Sequence, residues 1–150
     1  MRVVIQRVSE SSVFIDNTKV AVINKGLLLL LGIEMEDTKE DSIWLAKKIS
    51  QLRIFSDEEG VMNKSIIEVN AEVIVVSQFT LHAKTKKGNR PSYIKAARPE
   101  KAIPLYEQFK KDLSQSIMKE VQSGEFGADM QVLLINDGPV TILIDTKNKE

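Results

Sequence analysis

The stretch Ala71–Leu81 reads AEVIVVSQFTL, and the fold turns on how it is read. Val73, Ile74, Val75 and Val76 form an unbroken β-branched run, the pattern of a strand buried on both faces. The run stops at Ser77, Gln78, Phe79 and Thr80, so a polar set is delivered where a rigid sheet meets solvent. If the strand persists, period-two alternation sets Gln78, Thr80 and His82 on one face, and Ser77, Phe79 and Leu81 on the other. Taken alone, such a stretch is more often a strand that simply leaves the core. A second unusual stretch near the C-terminus changes the reading.

Upstream, the first third of the chain is mostly antiparallel β. Met1–Val8 reads as a strand, Ser9–Ser12 as a break, and Val13–Ile15 as a resumption. Asp16-Asn17 is a turn signal after which Val20–Ile23 pairs back as a hairpin. Asn24-Lys25-Gly26 is the next turn, and Leu27–Leu31 a buried strand ending at Gly32. An acidic loop, 34–41, leads into a helix whose Thr38 and Asp41 have the spacing of a capping box. Leu45, Ile49 and Leu52 make its apolar stripe, which Trp44 widens. The segment 61–69 carries no assignable pattern.

Downstream, residues 83–99 hold Lys84, Lys86, Lys87, Arg90, Lys95 and Arg98 with no Asp or Glu, and Gly88 and Pro91 mark a loop. A charge run is usually a solvated surface. This one has a single sign, includes Tyr93 and follows directly on the polar strand end, which suits contact with phosphates. From about Pro99 to Gln122 a second helix steps through Ala102, Leu105, Tyr106, Phe109, Leu113, Ile117 and Val121, starting or bending near Pro104 and stopping at Ser123-Gly124. Two strands, 130–135 and 140–144, follow, and the polar tail from Asp145 is expected to fray.

Composition bounds the chemistry. With 21 basic and 21 acidic residues no global field attracts nucleic acid, so any RNA contact is local. The chain has no cysteine, which removes disulfides and thiolate metal sites and fits a reducing compartment. A lone histidine, His82, cannot form a multi-histidine metal site. The longest apolar run, 27–33, is far short of a membrane span. At 150 residues the expectation is one domain, 1–150, in the cytoplasm, without metal or cofactor.

The second stretch is Asn136–Thr141, NDGPVT. Asp-Gly is routine in a hairpin turn, but the proline after it removes an N–H where the next strand should begin. Glycine hinders a cis X-Pro bond least, and a cis bond here would hold two carbonyls on one side. With SQFTL at 77–81 and NDGPVT at 136–141 both on the page, the sequence resembles the D-aminoacyl-tRNA deacylases (DTD). The likeness runs almost end to end, through MRVVIQRVS at 1–9, GLL at 26–28, LRIF at 52–55, KGNRPS at 87–92 and FGADMQV at 126–132. Ile103-Pro104 in the second helix departs from it.

The resemblance implies a compact α/β domain of layered, mixed and mostly antiparallel sheet with two main helices. It implies a homodimeric hydrolase that frees D-amino acids, and glycine, from the terminal adenosine of tRNA. Carried over, Ser77, Gln78, Phe79 and Thr80 form the catalytic pocket floor, and Gly138 and Pro139 a chiral gate that enters the partner's pocket. Arg7 fixes the gate and Met130 lines the pocket. Lys84, Lys86, Lys87 and Arg90 are the expected RNA contacts.

The residue chemistry accommodates this. An aminoacyl ester is already activated, so positioning and oxyanion stabilisation suffice. N–H groups near Phe79 and Thr80 suit the oxyanion, with the adenosine 2′-hydroxyl orienting water. Thr80 as a nucleophile is the competing scheme, with only His82 as a nearby base. Ser77 and Gln78 would hold substrate and backbone. A non-catalytic tRNA-binding module and a general serine or threonine hydrolase remain as alternatives, though the latter lacks a G-x-S-x-G elbow.

Overall fold

A computed structural model describes residues 1–149. Its backbone is one mixed sheet built on β1, Arg2–Ile15. The turn at Asp16 and Asn17, both with positive φ, returns the chain as β2, Thr18–Ile23, against Ser11–Ile15. The strand β3, Gly26–Gly32, pairs antiparallel with Arg2–Val8. Helix α1, Lys39–Gln51, follows, and Asp41 accepts from the Thr38 N–H at 2.9 Å as its capping spacing requires. A small hairpin of β4, Phe55–Ser56, and β5, Met62–Lys64, precedes β6, Glu72–Ser77. Because α1 carries the crossover, β6 lies parallel to β3. Helix α2, Pro99–Ile117, packs on α1, and β7, Gln122–Ser123, adds to β6. The last strand, β8, Gln131–Asp145, runs antiparallel along the other side of β1.

The β-branched run is buried on both faces, as its composition demands. Val73 and Val75 join a core with Leu27, Leu29, Leu31 and both helices, while Ile74 and Val76 join a second core with Leu28, Val8, Val13 and Ile23. The second core forms because the sheet curls and brings β2 near β6 and β7.

Several expectations are corrected. Ser9–Ser12 does not interrupt β1; the polar residues pass through as extended strand, and the irregularity appears as register shifts against β8 at Gln6/Val8 and Val8/Glu10. The strands 130–135 and 140–144 are one strand, β8, whose halves pair with β1 in the same direction. Asp137–Val140 is thus a bulge: Asn136 stands opposite Val8 and Thr141 opposite Gln6, leaving these four residues over against Arg7 alone. Helix α2 passes through Pro104 and ends at Ile117, where Met118 adopts a left-handed φ of 53° and Lys119 N–H caps Ser114 O at 3.2 Å. Val121 stays buried beyond the helix, so an apolar spacing that continued did not mean that the helix did. The tail is tied down: Thr146 is buried and its N–H donates to Met1 O at 2.8 Å, and Lys147 pairs with Asp41 at 2.8 Å.

Candidate active site

At Ser77 the strand β6 stops. Gln78 N–H makes the last ladder bond, to Leu31 O at 2.8 Å, and Phe79–His82 closes into a single 3-10 turn. The alternation expected for residues 77–82 therefore does not apply: Phe79 is 55% exposed and His82 is buried. The first bond of the turn is donated by Leu81 to Gln78 O at 3.3 Å, which leaves the N–H groups of Phe79 and Thr80 ahead of it at the end of the strand.

The turn is held from three sides. Gln78 Nε2 donates to Thr80 Oγ1 inside it. Arg2 Nη1 donates to Leu81 O at 3.1 Å while its Nε bonds Asp145 at 2.7 Å, fixing the turn to β1 and β8. Gly32 lets it approach β3, since a Cβ there would stand 3.0 Å from both Gln78 O and the His82 ring. Neither ring nitrogen of His82 has a hydrogen-bond partner among the described residues. The imidazole therefore does not bond Thr80, and the nucleophile scheme has no base in place.

Ser77, Gln78 and Phe79 line a cavity of about 50 Å³ with Leu31, Ile33, Ala97, Ala102, Phe126 and Gly127. The sequence reading missed the last six. Leu31 and Ile33 were accessible to it, because parallel neighbours share the crevice at their C-terminal ends. Phe126 is set by Tyr106, whose ring it meets edge-on at 5.6 Å, and whose hydroxyl donates to Val75 O at 2.8 Å. Burial pushes the Tyr106 phenol well above its ordinary pKa, so it stays a neutral donor.

Gly138 and Pro139 are exposed at the crest of the bulge in β8, and the bond between them is cis. Arg7, buried beneath, donates from Nε to Asp137 O at 2.9 Å and from Nη1 to Ile54 O at 2.6 Å. Gly138 has a φ of 138° and no room for a side chain, since a Cβ would sit 2.7 Å from Val140 Cγ2 and 3.0 Å from Arg7 Nη2. Asn136, given no role by the sequence reading, clips the neck: its Oδ1 accepts from Val140 N–H at 2.8 Å. Met130 packs on the second core, against Gly124, and is not among the residues that line the cavity.

Cavity and bulge lie at opposite ends of β3. Arg7 is level with Leu27, and the cavity begins at Leu31, four residues or about 13 Å along the strand. Within one chain these two groups of residues are not brought together. A larger groove of about 490 Å³ lies between β2 and the first half of β8, lined by Val22, Leu133 and Ile135 among others; it holds none of the expected catalytic residues.

Lys84, Lys86, Lys87 and Arg90 are exposed on a pinched loop closed by two backbone bonds between Lys84 and Ser92, at 2.8 and 3.0 Å. Among the described residues no cluster of acidic and histidine side chains could hold a metal ion, and no helix is long and apolar enough to cross a membrane.

Comparison with known proteins bears on what this arrangement does. The sequence profile of the family described as D-Tyr-tRNA(Tyr) deacylase matches residues 4–145. A D-aminoacyl-tRNA deacylase of Bacteroides fragilis strain YCH46 is 68% identical over 150 residues, covering 100% of both chains. One of Flavobacterium johnsoniae is 61% identical with the same coverage. Among solved structures, the c-Myc DNA Unwinding Element Binding Protein superposes with a TM-score of 0.92 at 39% identity, covering 97% of this chain and 98% of its own. A probable eukaryotic D-amino acid tRNA deacylase shares the fold, with a TM-score of 0.80 at 17% identity over 95% of this chain and 97% of its own. A polar turn at the end of a doubly buried strand, a clamped Gly-Pro bulge and a full-length match agree: the chain belongs to the D-Tyr-tRNA(Tyr) deacylase family.

Proposed function

We propose that the protein hydrolyses the ester between a D-amino acid and the terminal adenosine of tRNA, and that it cleaves glycyl-tRNA as well. The observation that carries this reading is the state of the turn at Phe79–His82. Its one hydroxyl, on Thr80, is tied to Gln78, and the chain's one histidine, His82, is hydrogen-bonded to none of the described residues. Such a site suits a substrate that brings its own activation. Water adds to the ester carbonyl, and the oxyanion forms against the N–H groups of Phe79 and Thr80. The carbon–oxygen bond to the ribose then breaks. The proton lost by water passes by way of the neighbouring 2′-hydroxyl to the departing ribose oxygen, giving the free amino acid and tRNA. Ser77 and Gln78 hold the backbone and the substrate. A binding-only module is not favoured, because the full-length relatives are named for a deacylase.

The working unit is a homodimer in which Gly138 and Pro139 of one protomer close the other's cavity. Two features support this. The bulge stands about 13 Å along the sheet from the cavity of its own chain. Leu133, Ile135 and Leu143, on either side of the bulge, are all more than half exposed. The carbonyls of Gly138 and Pro139 would accept the substrate's α-ammonium and fill the space an L side chain needs, which glycine does not contest. Met130 would line the pocket, and the setting is the cytoplasm, where the substrate is made.

The test is release of amino acid from matched D-, L- and glycyl-tRNA. D-aminoacyl- and glycyl-tRNA should be cleared at comparable rates and L-aminoacyl-tRNA spared; glycyl-tRNA that survives would end the steric account. Mixing a Phe79→Ala chain with a Gly138→Ala chain should restore activity above either alone, and no restoration would place the gate in its own chain.

A further inference from the structure

Phe79 and Tyr93 meet edge to face, with ring centroids 4.9 Å apart and planes at 77°. Both are exposed, at 55% and 38%, and Ile94 beside them at 77%. Such a cluster on a surface calls for an occupant. Its position is fixed. Ser92 is pinned to Lys84 by paired backbone bonds, Ala96 N–H donates to Tyr93 O at 2.9 Å, and Ala97 N–H to Ile33 O at 2.8 Å. Ala97, Ile33 and Phe79 all line the cavity. Tyr93 therefore stands on the rim, between the cavity and the cationic hairpin that carries Lys86, Lys87 and Arg90.

We propose that Tyr93 is a stacking platform for the nucleotide just upstream of the terminal adenosine of tRNA, with the cationic hairpin on the phosphates that follow. The inference rests on the deacylase reading of the neighbouring cavity. A single strand leaving that cavity crosses the rim, where it meets an aromatic face and then the hairpin's four cations, Lys84, Lys86, Lys87 and Arg90, with no acidic residue among them. That is the combination by which proteins hold unpaired nucleic acid: a base-stacking surface beside a positive track. Charge complementarity selects a polyanion over a second protein surface, and the aromatic ring selects one with bases.

The test compares a D-aminoacyl-tRNA with the same D-amino acid esterified to adenosine alone, which has no upstream nucleotide. Tyr93→Leu should raise KM for the tRNA on the order of 10-fold, the usual worth of one stacked base, with kcat nearly unchanged. Turnover of the adenosine ester should stay at the wild-type level, and Tyr93→Phe should behave as wild type on both. Equal losses on both substrates would make Tyr93 a mere prop for Phe79 and overturn the proposal; so would no loss on either. Binding of uncharged tRNA is measured in parallel. If the wild type leaves D-aminoacyl-tRNA intact the deacylase reading fails, and tRNA affinity that is weakened by Tyr93→Leu or indifferent to it still decides the role of Tyr93.

Discussion

Replacing Arg7 with methionine keeps the buried volume and removes the fork beneath the proposed gate. Ile54, 8% exposed, loses the donor at 2.6 Å on its carbonyl and gains little water in exchange. An acceptor stranded in that way costs about 1–3 kcal/mol. Asp137 O loses a donor at 2.9 Å, but the residue is exposed, so water recovers most of that bond and the cost is about 0.5–1 kcal/mol. The Arg7–Asp137 ion pair at 3.4 Å adds little, because the carboxylate side chain is 48% exposed. The sum is about 1.5–4 kcal/mol. At a urea dependence of about 2 kcal/mol/M, the unfolding midpoint should fall by roughly 0.75–2 M. Arg7→Lys reaches one acceptor at most and should fall between. Because the same fork orients Asp137–Gly138, the variant should also clear L-aminoacyl-tRNA faster relative to D, by about tenfold where 1.4 kcal/mol of discrimination is lost. A midpoint within about 0.3 M of wild type, together with an unchanged D-to-L ratio, would refute the idea that Arg7 sets the gate.

Thr80→Ala should retain activity within about tenfold, the effect of removing one neutral hydrogen bond; complete loss with fold and tRNA binding intact would restore the nucleophile scheme. Converting Lys86, Lys87 and Arg90 to glutamine should flatten the salt dependence of tRNA binding by about 2 in the log–log slope, at roughly 0.7 per single-strand phosphate, and an unchanged slope would remove the hairpin from the interface. Burial works to raise the Asp41 carboxyl, but hydrogen bonds from Lys147, Thr146 and the Thr38 N–H outweigh it and hold its pKa well below the carboxylate range. Asp145 is likewise raised by burial and brought lower on balance, chiefly by Arg2. Both folded values lie below the unfolded ones, so this stability is present above about pH 4 and lost as the pH falls through the folded values. Asp41→Asn should shrink the difference in urea midpoint between pH 6 and pH 3; a difference as large as wild type would show that these carboxylates do not govern acid unfolding.

What could be read in the chain was set by how local its cause is. The doubly buried run 73–76, the turn at Asp16-Asn17 and the Thr38/Asp41 cap depend on neighbours in sequence, and all three appear as written. The 3-10 turn after Gln78 did not show, because Arg2, Gly32 and Leu31 impose it from distant segments. Asp-Gly-Pro reads as a reversal in any short window. It becomes a bulge only because β1 supplies fourteen residues of partner for both halves of β8. The expected site residues were nameable from the resemblance, yet their placement at two ends of β3 was not, since no pattern in one strand tells which half of its neighbour it will face.

Arg2 and Arg7 ride the same strand, one gripping the 3-10 turn at Leu81 and the other the Gly-Pro bulge at Asp137. Their spacing is five residues of extended chain, about 17 Å, and no loop intervenes to absorb an error. β1 thus acts as a gauge bar. One inserted or deleted residue between them would turn a guanidinium to the wrong side of the sheet and leave either the turn or the bulge without its clamp. Length variation in this lineage should accordingly fall anywhere but there.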